Sequence, residues 1–128
     1  MSGGERIEIS FDGKVVLAAE LYDCPEAEAL SRRLPLRFMM HRWGEEYYGD
    51  CGVDSQTSPA AREEMEVGEL ALWPAGRAFC VFFGPTPASS GDEPRAYEPV
   101  NPIGRLLDDP APLRDLDSTV IVEVRKSA

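Results

Sequence analysis

Apolar and polar residues alternate along Arg6-Ile7-Glu8-Ile9-Ser10-Phe11, the period of a strand with one buried face. Asp12-Gly13 follows, and a second strand-like run begins at Lys14-Val15-Val16-Leu17-Ala18-Ala19. An Asp-Gly pair between two such runs predicts a hairpin, because glycine accepts the positive φ of a tight turn. The period then changes. Asp23-Cys24-Pro25-Glu26 offers a capping aspartate, a first-turn proline and a glutamate three residues past the cap. Ala27, Leu30 and Leu34 share one helical face before Pro35 stops the run. This is the one substantial helix expected.

Beyond it the pattern predicts short strands again. Leu36–Arg42 and Tyr47–Cys51 are joined through Trp43-Gly44-Glu45-Glu46, and Asp54–Pro59 is a polar loop. A short strand is expected around Glu63–Glu66. Glu69–Trp73 and Ala78–Phe83 flank a Pro74-Ala75-Gly76 turn, the second run being apolar enough for a buried strand. From Gly84 to Pro102, prolines at 85, 87, 94, 99 and 102 break any periodicity. Segments this long without an element of their own are uncommon in compact domains, so this stretch reads as a loop. It is either a stiff lid presenting Arg95 and Tyr97 to a ligand or a plain surface excursion. Strands resume at Ile103–Leu107 and Thr119–Val124, around a turn near Pro112–Leu116. About eight short strands and one helix, without repeat or linker, predict a mainly β, closed barrel in a single domain over residues 1–128, since closure removes exposed edges.

Composition narrows the function. The 128 residues suffice for one core without staples. Thirteen basic against 23 acidic residues give a net charge of −10, which argues against a nucleic-acid partner and against anionic membranes. Cys24, Cys51 and Cys80 have no metal-ligand spacing and His41 is the sole histidine, so neither a disulfide framework nor a zinc site is expected. Met1–Arg6 carries no signal-peptide pattern and no run reaches membrane-spanning length, so the cytoplasm is the expected compartment. No phosphate-binding glycine loop, dinucleotide fingerprint or nucleophile elbow is present, and no cofactor is expected.

Three stretches resemble motifs of the small cyclophilin-like family of prokaryotic proteins: Trp43-Gly44-Glu45-Glu46-Tyr47-Tyr48; Val67–Gly76 running on to Phe82-Phe83-Gly84-Pro85-Thr86-Pro87; and Val100-Asn101-Pro102-Ile103-Gly104-Arg105. The hairpin and early helix stand in that family's order. The resemblance implies a closed eight-stranded cyclophilin-like β-barrel with one short α-helix. Prolyl isomerases of that fold place an arginine after a histidine on one strand, as in His41-Arg42, and a phenylalanine pair resembles Phe82-Phe83. Their next pocket residues are a phenylalanine, a methionine and a glutamine, where this chain has Tyr47, Tyr48 and Asp50. The asparagine- and glutamine-rich stretch is replaced by Pro74–Ala78, and no Trp or His follows Phe83 closely.

The candidate site is a groove for a small molecule or peptide, formed by Arg42, Trp43, Glu45, Tyr47, Trp73, Phe82 and Phe83. Adjacency puts one of Phe82 and Phe83 inward and the other outward. Arg42 either stabilises a twisted proline amide or pairs with Glu45 or Glu46 across the turn. Glu45 and Glu46, on opposite faces of an extended chain, read as a solvated turn rather than an acid–base pair or a cation site with Asp50. His41 and Cys51 lack the surroundings of a nucleophilic pair, and Cys80 reads as an inert core thiol. A non-catalytic binding domain is the lead expectation. A weak peptidyl-prolyl isomerase using Arg42 is the alternative, and an oligomeric interaction protein with an exposed apolar patch the third.

Overall fold

The computed structural model describes residues 4–127; the opening Met1-Ser2-Gly3 expected to lack a leader lies outside them. The first hairpin forms as the sequence requires. Strands β1 (Arg6–Phe11) and β2 (Val15–Leu21) pair antiparallel from Phe11↔Val15 to Arg6↔Glu20. Asp12 and Gly13 take φ of 57° and 67°, the two positive values of a type I′ turn. Helix α1 (Pro25–Ser31) buries Ala27 and Leu30. Its N-cap is Cys24, with no side-chain capping bond, rather than Asp23.

The remaining strands are β3 (Leu36–Arg42), β4 (Glu46–Asp50), β5 (Arg62–Glu64), β6 (Glu69–Trp73), β7 (Ala78–Phe82), β8 (Arg95–Leu106) and β9 (Thr119–Lys126). Two short 3-10 turns, Pro74–Gly76 and Ala111–Asp115, complete the elements. Strand neighbours run β2-β1-β9-β3-β4-β7-β6-β8, and the pairing of β8 with β2 joins the two ends into a ring of eight strands. Where β8 meets β2 the backbones come close. A Cβ at Gly104 would lie 2.5 Å from the Glu20 carbonyl oxygen, so only glycine fits this seam.

The expectation of a loop from Gly84 to Pro102 is corrected by β8, which starts at Arg95 and includes Pro99 and Pro102. Proline supplies no ladder N–H, and strands tolerate it at irregular positions. The ladder shifts register between Leu70 and Ala71 on the β6 side and between Arg62 and Glu64 on the β5 side. Those shifts accommodate the prolines.

The ring interior holds the main core: Ile7, Ile9 and Phe11 from β1, Tyr47 from β4, Phe79 and Val81 from β7, and Val120, Val122 and Val124 from β9. A second apolar cluster lies outside the ring. Ala96 and Val100 of β8, with Met65, cover the outward side chains Ala71, Cys80 and Phe82, and Tyr48 and Trp73 pack against them. The first half of β8, with β5 paired to it, thus covers part of the ring's outer wall.

Buried Asn101 fastens the loop expected at 54–59. Its Oδ1 accepts from the Ser58 N–H at 2.9 Å, and its Nδ2 donates to the Gln56 carbonyl at 2.9 Å. Asn101→Ala leaves both backbone groups without their partner. It should lower stability by about 2 kcal/mol, read as a fall in the urea midpoint. No helix among the described residues is long and apolar enough to cross a membrane.

Candidate functional site

Alternation along β4, β6 and β7 decides which residues face the second cluster. In β4, Tyr47 points inward while Glu46 and Tyr48 point outward, opposite Phe82 and Cys80 of β7. In β6, Leu70 and Leu72 join the main core while Ala71 and Trp73 face out. Between this outer wall and the first half of β8 lies a cavity of about 200 Å³, lined by Trp43, Glu46, Tyr48, Trp73, Cys80, Ala96, Tyr97, Glu98 and Val100.

Four aromatic rings form its walls, each set nearly perpendicular to the next. Trp43 meets Tyr97 at 6.3 Å and 78°, Tyr97 meets Trp73 at 6.2 Å and 70°, and Trp73 meets Tyr48 at 6.4 Å and 79°. These are edge-to-face contacts, the arrangement favoured by the ring quadrupole. Trp73 is held further by its indole N–H, which donates to Glu98 Oε1 at 2.7 Å. Tyr97 is 72% exposed and forms the outer lip.

Trp43 is positioned by the turn before β4. The Trp43 and Glu46 backbones bond to each other, the Glu45 N–H donates to the Pro85 carbonyl, and the Phe83 N–H donates to the Glu45 carbonyl. A Cβ at Gly44, where φ is +60°, would fall 2.8 Å from both Pro87 Cδ and Thr86 Cα. Thr86, itself buried, ties this loop to β8 through its hydroxyl, which donates to the Arg95 carbonyl.

Glu98 and Glu46 are the carboxyls of the lining, and the buried one is Glu46. It is 5% exposed. Burial pushes its carboxyl up to about 8, and the neighbouring Cys80 thiol pulls it only partly back. Burial also raises the Cys80 thiol well above its ordinary value, as does the adjacent Glu46 carboxyl. No Lys, Arg or His lines the cavity. Among the described residues, no group of three or more His, Cys, Asp or Glu is arranged to hold a metal ion.

The residues expected at the groove fall in three places. Trp43 and Trp73 line the cavity, as does Tyr97 from the expected lid. Tyr47, Phe82 and Phe83 are wholly buried. Phe82 and Phe83 do belong to opposite faces, but the outward Phe82 is covered by the second cluster, so neither reaches solvent. Tyr47 stacks on Phe83 at 5.6 Å and donates its hydroxyl to the Asp117 carbonyl. Arg42 and Glu45 lie outside the cavity lining. Arg42 donates from Nε to the Gly44 carbonyl and from Nη1 to the Arg114 carbonyl, both at 2.9 Å, with its guanidinium over the Phe83 ring. It pairs with neither Glu45 nor Glu46; Glu45 takes Arg114 instead, at 3.2 Å. Arg95 turns to Glu63, Glu64 and Glu93.

The expectation that Glu46 shares a solvated turn with Glu45 is corrected by its burial, and Tyr48 joins the site although it was not among the expected groove residues. The signal was present in the alternation of β4, which places both on the face opposite Tyr47. Nothing local indicates that this face is covered.

A family model described as cyclophilin-like matches residues 5–125. No curated protein matches the chain. Among solved structures, the solution structure of a hypothetical protein from Archaeoglobus fulgidus superposes with a TM-score of 0.81 at 30% sequence identity, covering 99% of this chain and 98% of that one. A match over nearly the full length, in sequence pattern and in strand arrangement alike, places this chain in the cyclophilin-like family.

Proposed function

We propose that the protein is a non-catalytic binding domain, a closed cyclophilin-type barrel that takes a small molecule or a peptide side chain in the cavity on its outer wall. The observation that carries this reading is the cavity itself: four aromatic rings, each nearly perpendicular to the next, around one buried carboxyl, with the exposed Tyr97 at the lip. Ligand sites are typically concave and mostly apolar, with a few placed polar groups. Both tryptophans of the chain line this one, so intrinsic fluorescence reports directly on its occupancy.

The test is a screen of small amines, alcohols, acids and short peptides, read by tryptophan fluorescence and by backbone amide shifts. Hits should move the amides of Trp43, Trp73 and residues 96–98 together. Shifts confined to the α1 side of the molecule, or no hits at all, would overturn the reading.

An isomerase role has less support, because Arg42 directs Nε and Nη1 to the Gly44 and Arg114 carbonyls and lies outside the cavity lining. Prolyl exchange in an Xaa-Pro peptide should proceed at its uncatalysed rate of tens of seconds or slower. Arg42→Ala should instead loosen the link from the Gly44 turn to the Ala111–Asp115 turn. It should lower stability by about 1 kcal/mol while leaving hits from the screen bound as before.

A further inference from the structure

We infer that the cavity selects an organic ammonium ion, an alkylated or methylated amine whose apolar substituents fill the aromatic box while its charge meets Glu46. This deepens the binding reading above and rests on it.

Four observations favour a cation over a neutral or anionic guest. The box is lined by the rings of Trp43, Tyr48, Trp73 and Tyr97, each nearly perpendicular to the next, and aromatic cages hold quaternary and methylated ammonium groups by their ring quadrupoles. The lining includes two carboxyls, Glu46 and Glu98, and no basic side chain. The net charge of −10 adds a long-range field of the same sign.

The fourth is the contrast between two buried glutamates. Glu69, 2% exposed, is fully provided for: Arg62 donates to both its oxygens, and the Tyr22 hydroxyl and Glu66 N–H complete the set. Glu46, 5% exposed, has among the described residues only the Cys80 thiol, a weak donor. A buried carboxylate needs a cationic or multiply donating partner. At Glu46 the direction left for one is the cavity.

The consequence is a pH-linked affinity. Burial holds the Glu46 carboxyl up near 8, so much of the protein carries a proton there at neutral pH. A bound cation favours the ionised form, and the proton leaves to solvent as the ligand enters. The titratable groups facing Glu46 are Tyr48 on β4, Cys80 on β7, and Tyr97 and Glu98 on β8; β6 contributes only Trp73 among the lining residues. Comparing glutamate with glutamine at position 46 isolates its part.

The experiment titrates the intact protein with choline, with its neutral isostere 3,3-dimethylbutan-1-ol, and with a short peptide carrying trimethyl-lysine, at pH 6 and pH 9. Choline or the peptide should quench tryptophan fluorescence and bind at least about tenfold more tightly at pH 9. The neutral alcohol should bind more weakly and without pH dependence. Glu46→Gln should abolish the pH dependence, and Tyr97→Ala, at an exposed position, should weaken both cations without disturbing the fold. Preference for choline over the peptide identifies a free amine as the source, and the reverse a modified side chain. If the neutral alcohol binds as well as choline at both pH values, the ammonium assignment is wrong while the binding reading stands. If screen hits occupy the cavity and neither cation does, the assignment is likewise overturned.

Discussion

Glu46→Gln is expected to stabilise the protein in alkali, by up to about 5 kcal/mol at pH 9, and to change its stability little at pH 4. In the folded protein burial lifts the Glu46 carboxyl to about 8, with the neighbouring Cys80 thiol opposing; in the unfolded chain it returns to the ordinary value of 4.5. A raised carboxyl binds its proton more tightly when folded. Its contribution is therefore complete below the ordinary value and is lost as pH rises through about 8. Each unit of difference is worth about 1.4 kcal/mol, which sets the upper bound. Glutamine keeps the shape and stays neutral throughout. Urea unfolding of both proteins from pH 4 to pH 9 reads the effect directly: the curves should meet near pH 4, separate as pH rises above 4.5 and reach a constant separation beyond about 8. Parallel curves would show that the carboxyl is solvated in the native state, and would remove the reason for a cation at this position.

Arg62→Ala should have an effect of similar size through the opposite electrostatics. Arg62 bonds Glu69 through two nitrogens, Nη1 to Oε1 at 3.0 Å and Nη2 to Oε2 at 2.5 Å. The arginine is 41% exposed, whereas the carboxylate is 3% exposed. Removing the cation strands a buried charge that the Tyr22 hydroxyl and Glu66 N–H only partly satisfy. The loss should be about 3 kcal/mol at neutral pH. Lysine is not a full substitute, since it lacks the planar fork that meets both oxygens.

The same network predicts an acid limb. Burial alone would raise the Glu69 carboxyl, but the bonds from Arg62, the Glu66 N–H and Tyr22 outweigh it, and the net value lies below the ordinary one. For a lowered carboxyl the contribution is present above the ordinary value and is lost as pH falls through the folded one. The wild-type protein should thus lose stability on both sides of the ordinary carboxylate value, with Glu69 responsible below it and Glu46 between it and about 8. Arg62 also anchors β5, from which Met65 reaches the second cluster. In Arg62→Ala, amide exchange should accelerate first at residues 62–66 and 95–100, ahead of the eight-stranded ring. Uniform acceleration over the whole chain would show that the outer layer is not a separate unit.

The ring was legible in the sequence because it is written in local periodicity. Alternation in β1, the Asp12-Gly13 turn, the Leu36–Arg42 run and the Glu69–Trp73 and Ala78–Phe82 pair each follow from the two-residue period and from turn chemistry, both carried by neighbouring residues. Alternation likewise put Phe82 and Phe83 on opposite faces. What it could not supply was what lies over the outer face. That depended on β8, where Pro99 and Pro102 masked a strand whose missing donors fall at register shifts set by distant partners. Once β8 and Met65 lie over the wall, Phe82 becomes core, Glu46 becomes a buried carboxyl, and Trp43, Tyr48, Trp73 and Tyr97 become the sides of one box. Trp43 and Tyr97 stand 54 residues apart in sequence and 6.3 Å apart in space. The sequence alone determined that neighbours along a strand take opposite faces; tertiary packing decided which face turns inward and whether the other meets solvent, core or a cavity, because burial is set by what a distant segment covers.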